Sequence, residues 1–318
     1  MSRNVRVCAL SPYKFKGDPN LDFSQCLHDV IAYWDELLEN AFALRPDLIV
    51  LPEACDRPSA YSIDRRLAYY EYRGNRVRDH LMAQAVKHHC NIAYSAARQT
   101  EDGTFRNSTQ FLSRRGGIDG IYNKNHLVIG EYTDGHILYG NSAPIIETDF
   151  GRVGGVICFD YYFDALRTQY MESRPELLVF SGNLHGGFLR QNWAYSCQSY
   201  LVASVPVEHG GGSILNPVGK VLVESVNHRP FIACADIDLD YRVLHWDENL
   251  PKLLDAQRKY GPDLHICDPD SHLGVLLLTY SGDRTTLQDI MKEYQLETWD
   301  EYYARSGTAR ELPGRKEK

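Results

Sequence analysis

Three short stretches of the chain carry side chain types that can do chemistry, two of them at the ends of apolar runs. Leu51-Pro52-Glu53 sets a carboxylate just past the run Leu48–Leu51. Tyr122-Asn123-Lys124-Asn125-His126-Leu127 sets an ammonium among polar neighbours, and Glu131 follows it. Gly154-Gly155-Val156-Ile157-Cys158-Phe159-Asp160 ends an apolar run in a thiol, with a carboxylate two positions later. A carboxylate can carry a proton, an ammonium can neutralise a developing oxyanion, and a thiolate is a strong nucleophile. Strand ends in layered α/β proteins open into crevices where such side chains can meet a substrate. Taken singly, each residue also has an ordinary explanation: a solvated carboxylate, a surface lysine, a buried thiol.

The elements that would position these residues follow from periodicity. Val5–Leu10 predicts a strand. Phe23, Leu27, Val30, Ile31, Trp34, Leu37, Leu38 and Ala41 recur at three- and four-residue spacing, one face of a helix, with Asp18, Pro19 and Asn20 as start signals. Leu48–Leu51 predicts a strand covered on both faces. A helix through Val77, Leu81 and Ala85 and a strand at Asn91–Ser95 come next, then strands at Thr109–Ser113, Val153–Cys158, Leu177–Phe180, Tyr200–Ser204, Ser213–Leu215 and Ile232–Ile237. Helical stretches fall near 161–172 and 188–198. The alternation implies an α/β (α+β) domain with layered, mixed sheets.

Beyond residue 240 the composition shifts. His272–Tyr280 predicts one more strand; Thr285 or Thr286, and then Thr298, are candidate helix caps. The polar residues 307–318 are expected to fray. This tail, 241–318, is expected to be too small for much of a core of its own, and to pack on the main domain, 1–240, or on a neighbouring subunit.

Composition excludes several classes. The 318 residues are 43% hydrophobic and 24% charged, as in globular proteins and unlike disordered, collagen-like or coiled-coil chains. A net charge of −8 argues against a nucleic-acid partner. Apolar runs are far shorter than the roughly 20 residues of a membrane span, so no membrane association is expected. The start, Met-Ser-Arg-Asn-Val-Arg-Val, has no secretory pattern, and a cytoplasmic location is expected. The eight cysteines contain no CxxC pair, which favours reduced thiols over disulfides or zinc. His88-His89 and the other histidines lack metal spacing and no Gly-x-Gly-x-x-Gly follows a strand, so no metal or other cofactor is expected.

The ordered set strand-Pro-Glu, Tyr-x-Lys-x-His-Leu and Gly-Gly-Val-Ile-Cys-x-Asp resembles the nitrilase superfamily of carbon–nitrogen hydrolases. The stretch Gly211 to Gly219, close to Gly-x-Ser-x-Ile-x-x-Pro-x-Gly, extends the resemblance from about residue 4 to about 240. It implies a four-layer α-β-β-α sandwich that pairs into a homodimer or higher homo-oligomer through helices. It further implies a catalytic triad of Glu53, Lys124 and Cys158, with Glu131 orienting Lys124 or assisting the leaving amine. In that scheme Cys158 forms a thioester, Glu53 is the base, and Lys124 with the Phe159 backbone N–H forms the oxyanion hole. Burial beside a second acid would raise the Glu53 pKa towards neutrality.

Cys158-Phe159-Asp160 is similar to the Cys-x-Asp of amide- and carbamoyl-hydrolysing members rather than the Cys-Trp-Glu of nitrile-hydrolysing ones. A small amide or N-carbamoyl compound is therefore the expected substrate; nitrile hydrolysis, or a non-catalytic binding module on the same fold, is the alternative. Asn183 and His185 are candidate substrate contacts, as are Tyr61, Tyr132, Tyr139, Tyr161, Tyr162 and Phe163. The chain departs from the family after the nucleophile, where Tyr161-Tyr162-Phe163-Asp164 lacks the usual Arg and Phe-Pro-Glu.

Overall fold

The computed structural model describes residues 2–267 and 272–312, which divide into two compact units. The larger, Val5–Ile237, begins with β1 (Asn4–Leu10), α1 (Phe23–Phe42), β2 (Leu48–Val50), α2 (Ile63–Arg73), α3 (Arg76–Lys87), β3 (Asn91–Gln99), β4 (Phe105–Leu112), β5 (Ile118–Asn123) and the single turn α4 (Ile129–Thr133). It continues with β6 (Ile145–Glu147), β7 (Arg152–Ile157), α5 (Asp164–Ser173), β8 (Leu177–Ser181), α6 (Phe188–Cys197), β9 (Tyr200–Ser204), β10 (Ser213–Leu215), β11 (Val221–Glu224) and β12 (Ile232–Asp238). The strands form two six-stranded sheets, ordered β12-β1-β2-β3-β4-β5 and β11-β10-β9-β8-β7-β6. In each sheet three strands run parallel, joined by helical crossovers, and the outer hairpins are antiparallel.

The alternation of the strands assigns their faces. Cys8, Leu10, Ile49, Leu51, Ile92 and Tyr94 share one buried cluster with side chains of α1, α2 and α3. The intervening Val7, Ala9, Leu48, Val50 and Ala93 are equally buried and point the other way, towards the second sheet. Two hydroxyls stitch the sheets together: Ser204 Oγ donates to Leu10 O at 2.7 Å and Ser181 Oγ to Leu51 O at 2.8 Å. With α5 and α6 on the second sheet, the layers are α-β-β-α. The predicted helix face of α1 is buried from Cys26 to Ala41, each large side chain contributing about 1.5–3 kcal/mol. Its cap is Asp22, not the earlier start signals, and its side chain accepts from Gln25 N.

β7 carries no side chains at Gly154 and Gly155 because both of its faces are occupied. A methyl group at Gly154 would sit 2.7 Å from the Tyr170 ring of α5, and one at Gly155 would sit 2.5 Å from Tyr122 Cβ of β5. The close approach fixes the end of β7 against the end of β5.

The smaller unit comprises the chain from Asp238 onward and the first four residues. Arg3 N donates to Asp238 Oδ1 at 2.8 Å within it. Its strands β13 (Tyr241–His245), β14 (Leu264–Cys267) and β15 (Val275–Tyr280) form an antiparallel sheet ordered β13-β15-β14, with α7 (Asn249–Tyr260), α8 (Leu287–Glu293) and α9 (Trp299–Arg310). Contrary to the expectation from its length, this unit has its own core, built from Leu244, Leu253, Leu276, Leu278, Ile290 and their neighbours. Thr286 and Thr298 cap α8 and α9. Helix α9 continues through Arg310, past the point where fraying was expected; residues 313–318 of that stretch lie outside the described residues. No helix among the described residues is long and apolar enough to cross a membrane.

Candidate active site

Three strand ends converge inside the larger unit. Glu53 follows β2 after Leu51 and Pro52, Lys124 is the first residue after β5, and Cys158 is the first after β7. Lys124 is 1% exposed and Glu53 6%. Lys124 Nζ donates to Glu53 Oε1 at 2.8 Å and to Glu131 Oε2 at 2.7 Å, so one ammonium bridges two carboxylates. Asn107 of β4 bridges the same pair, its Nδ2 donating to Glu53 Oε1 and Glu131 Oε1, both at 2.8 Å. Asn183, just beyond β8, donates to Glu53 Oε2 at 2.8 Å. Glu131 Oε2 also accepts from Val128 N at 2.9 Å, which ties it to the start of α4.

The electrostatics follow from this arrangement. Burial alone pushes the Glu53 carboxyl up, but the Lys124 charge and the donors from Lys124 and Asn107 more than offset it, and its pKa falls to about 2. This corrects the expectation of a raised value, because the two acids do not face each other across an empty gap; Lys124 stands between them. Burial works against the Lys124 ammonium, yet the two carboxylates hold its pKa above the usual lysine range. The Cys158 thiol is pushed up by burial and then by the facing Glu53, against the pull of Lys124. The resting site is thus a carboxylate, an ammonium and a neutral thiol.

Cys158 has φ of +48°, left-handed backbone that a non-glycine residue adopts at a cost of about 1–2 kcal/mol. The chain turns sharply there, from β7 into a 3₁₀ turn at Cys158–Tyr162. Asp160 holds the turn. Its fully buried carboxyl accepts from Tyr122 OH (2.7 Å), His126 N (2.9 Å) and Ile157 N (3.1 Å). It thereby clamps the segment carrying Lys124 to the one carrying Cys158. Asp160→Asn places an amide donor against N–H and O–H donors. It is expected to lower stability by about 3 kcal/mol, measured by urea unfolding, and to slow turnover with it.

Not every predicted contact reaches this centre. Tyr61 is buried in the helix-side core, in edge contact with Tyr69 at 5.8 Å. His185 turns away as well: its Nδ1 accepts from Gly187 N at 3.2 Å and its ring lies against Gly210. Tyr132 stands beside Glu131 on α4, but its ring is half exposed and packs on Tyr139. Phe159 is half-buried among Tyr162 and Phe163, with its backbone adjacent to Cys158. Asp164 is exposed and pairs with Arg167 at 3.0 Å. Tyr161 is buried, stacked on Phe180.

Asn107 was missed, although the polar run Asn107-Ser108-Thr109-Gln110 inside an otherwise apolar strand could have signalled it. Its Oδ1 and that of Asn183 are buried without a hydrogen-bond partner. A cavity of about 220 Å³ opens beside Asn107 and Glu131, walled by α2 and α4. A smaller one of about 20 Å³, bounded by Lys14, lies over Glu53 and Asn183. Ala54 and Arg57 line both cavities.

Known proteins resemble this chain to different extents. The probable nitrilase C965.09 of Schizosaccharomyces pombe is 28% identical over 172 residues, 49% of this chain and 62% of that protein. The omega-amidase NIT2 of Xenopus tropicalis is 30% identical over 117 residues, 32% of this chain and 42% of that protein. The matched region thus spans less than two thirds of either relative. Nit3 of Saccharomyces cerevisiae, a nitrilase-superfamily structure, superposes with a TM-score of 0.62 at 19% identity, covering 82% of this chain and 95% of that one. Residues 5–243 match the carbon-nitrogen hydrolase family as a whole. That span takes in both sheets and all three strand ends, and by it the chain belongs to the carbon-nitrogen hydrolase family.

Proposed function

We propose that the chain hydrolyses a small amide or N-carbamoyl compound through a thioester on Cys158. The observation that carries this is the Glu53–Lys124–Glu131 row, buried at Glu53 and Lys124 and half-buried at Glu131, set against the Cys158 thiol. Because the resting thiol is neutral, the nucleophile forms during attack. Sulfur bonds to the carbonyl carbon while its proton passes to Glu53. The carbonyl oxygen gains negative charge, for which Lys124 Nζ and the Phe159 N–H are the donors. As Lys124 turns towards that oxygen, Glu53 loses part of the field that weakens it as a base. The proton then moves from Glu53 to the leaving nitrogen, the C–N bond breaks, and ammonia or an amine departs. Water attacks the thioester and gives a proton to Glu53. The C–S bond breaks, the acid is released, and the proton returns to sulfur. Glu131 holds Lys124 in place and is a positioning residue in this scheme.

The open acceptors Asn107 Oδ1 and Asn183 Oδ1 favour an amide or ureido group, which brings N–H donors, over a nitrile, which brings none. The test is ammonia release from primary amides, N-carbamoyl amino acids, ureides and nitriles, with Cys158→Ala as the blank. Release from an amide or carbamoyl compound that disappears in the blank supports the assignment. Release from nitriles alone, or release that persists in the blank, overturns it.

The pH profile gives an independent check. With its pKa at about 2, Glu53 is ionised throughout the ordinary range, so kcat/KM is expected to stay level from pH 7 down to about 4. A folded pKa below the ordinary 4.5 means that the stability Glu53 contributes is present above 4.5 and is lost as pH falls towards 2. A kinetic limb near pH 6, absent from Glu53→Gln, would show a base with a raised pKa instead.

A further inference from the structure

The edge strand β12 lies beside β1, and the two run antiparallel in one register. Ser11 N donates to Phe231 O at 2.9 Å at one end, and Leu239 N to Arg3 O at 3.1 Å at the other. Between these ends Arg6 meets Asp236 in a doubly bonded ion pair, at 2.7 and 2.9 Å. The same register sets Cys8 opposite Cys234, 226 positions further along the chain. Bonded and non-bonded pairs alternate along such a ladder, so Cys8 and Cys234 fall at a non-bonded pair. The Cα atoms of such a pair stand about 4.5 Å apart, within the span of about 4.4–6.8 Å that a disulfide bridges. Both side chains lie on the helix-facing side of the sheet, Cys8 fully buried and Cys234 half-buried against the same core. Their sulfurs are 2.6 Å apart. The two thiols are not equivalent. The S–H of Cys8, first, and the Arg6 guanidinium hold the Cys234 thiol below the ordinary cysteine value, against burial and Asp236. Cys158 is the opposite case, its thiol kept neutral by burial and Glu53.

We propose that Cys234 and Cys8 are a redox-active pair: Cys234 reacts with a small-molecule disulfide such as oxidised glutathione, and Cys8 resolves the product into a cross-strand disulfide. In the first step the Cys234 thiolate attacks one glutathione sulfur, the glutathione S–S bond breaks, and one glutathione thiolate leaves. That thiolate takes up the proton that Cys8 gives off. Cys8 sulfur then attacks Cys234 sulfur and displaces the second glutathione. Two protein thiols are oxidised, and one glutathione disulfide is reduced to two thiols. The new bond fastens the first strand of the larger unit to its last, and the loop it closes holds nearly the whole unit. A cross-link of that span restricts the unfolded chain strongly, so the oxidised protein resists unfolding better than the reduced one.

The experiment incubates the reduced, folded full chain with oxidised glutathione and then counts free thiols in denaturant. The eight thiols are expected to fall to six. Peptide mapping is expected to join the Cys8 peptide to the Cys234 peptide and to find Cys158 unmodified. Cys8→Ala is expected to retain one glutathione on Cys234, whereas Cys234→Ala should leave Cys8 unmodified. Oxidation should raise the urea midpoint of the wild type by about 1 M, dithiothreitol should reverse the rise, and Cys234→Ala should show none. The readouts need no substrate, so they stand apart from the hydrolase assignment. Eight thiols remaining in the wild type would overturn the proposal. So would a bond from Cys234 to the neighbouring Cys90 in place of Cys8, or glutathione retained on Cys8 in Cys234→Ala. A Cys8–Cys234 bond that left the midpoint unmoved would overturn its role as a fastening.

Discussion

Cys158→Ala is expected to reduce ammonia release by about 10⁶-fold, with the fold intact. The size of the effect follows from geometry. Cys8, Cys26, Cys55, Cys90 and Cys197 are buried, and Cys158 is the thiol whose surroundings include both Glu53 and Lys124. The fold should tolerate the change because alanine is smaller and keeps the turn. The left-handed backbone adds a second readout. Cys158→Gly removes the Cβ that makes φ of +48° unfavourable, and should be about 1 kcal/mol more stable than Cys158→Ala while equally inactive. Unfolding midpoints in urea, measured beside the ammonia assay, check both statements. Turnover in Cys158→Ala within tenfold of the wild type would remove the thioester from the mechanism. A Cys158→Gly protein no more stable than the alanine variant would mean that the turn is not strained.

Glu53 and Cys158 are legible in the sequence as strand-end residues because each closes a patterned segment, Leu48–Leu51 for the first and Val153–Cys158 for the last, whereas β5, which carries Lys124, has no pattern that predicts it, and that lysine is legible through the family motif alone. Their family pattern then orders them along the chain. What stands around them is set by partners far away in sequence, and local periodicity carries no trace of it. Asn107 lies 54 positions from the Glu53 it contacts, and its strand is polar where it meets the site. The proton affinity of Glu53 was misjudged for the same reason. Two acids were visible, but not that a lysine 71 positions from Glu53 would stand between them. Tyr61 differs from a pocket tyrosine only in what surrounds it, and it is packed with Phe23 and Tyr69. Helix α7 was obscured by Pro251, which lies in its first turn, where the missing N–H would have had no helical partner in any case. Overlooking that helix removed Leu253 and Ala256 from the reckoning and made the C-terminal unit look too small for its own core. The strand and helix boundaries that did match were those with a full buried stripe, such as α1.

Lys124→Met is expected to damage both rate and stability, and the two losses have different origins. Without the ammonium, Glu53 and Glu131 remain buried or half-buried with Asn107 as their shared donor. An unpaired buried charge of this kind costs about 3–5 kcal/mol at neutral pH. Glu53 relieves it by taking up a proton, because burial, the largest influence on it, is then no longer offset by Lys124. Its folded pKa rises above the unfolded value near 4.5, so the folded state binds more protons than the unfolded one, and stability falls as pH rises from about 5 to 8. The wild type has no such slope from Glu53 in that window, since its carboxyl is already ionised. Urea unfolding at pH 5 and pH 8 should therefore show a pH penalty in the variant alone. Loss of an oxyanion donor separately lowers kcat by about 10²–10³. The double variant Lys124→Met with Glu53→Gln tells the two apart. Removing the stranded charge should restore part of the stability at pH 8 and flatten its pH dependence, whereas turnover should not recover, because neither the base nor the Lys124 donor remains. If Lys124→Met were equally stable at both pH values and turned over normally, Lys124 would be neither the bridge between the carboxylates nor a donor to the oxyanion. If stability alone were lost, it would be the bridge only, and the Phe159 N–H would be left to carry the oxyanion.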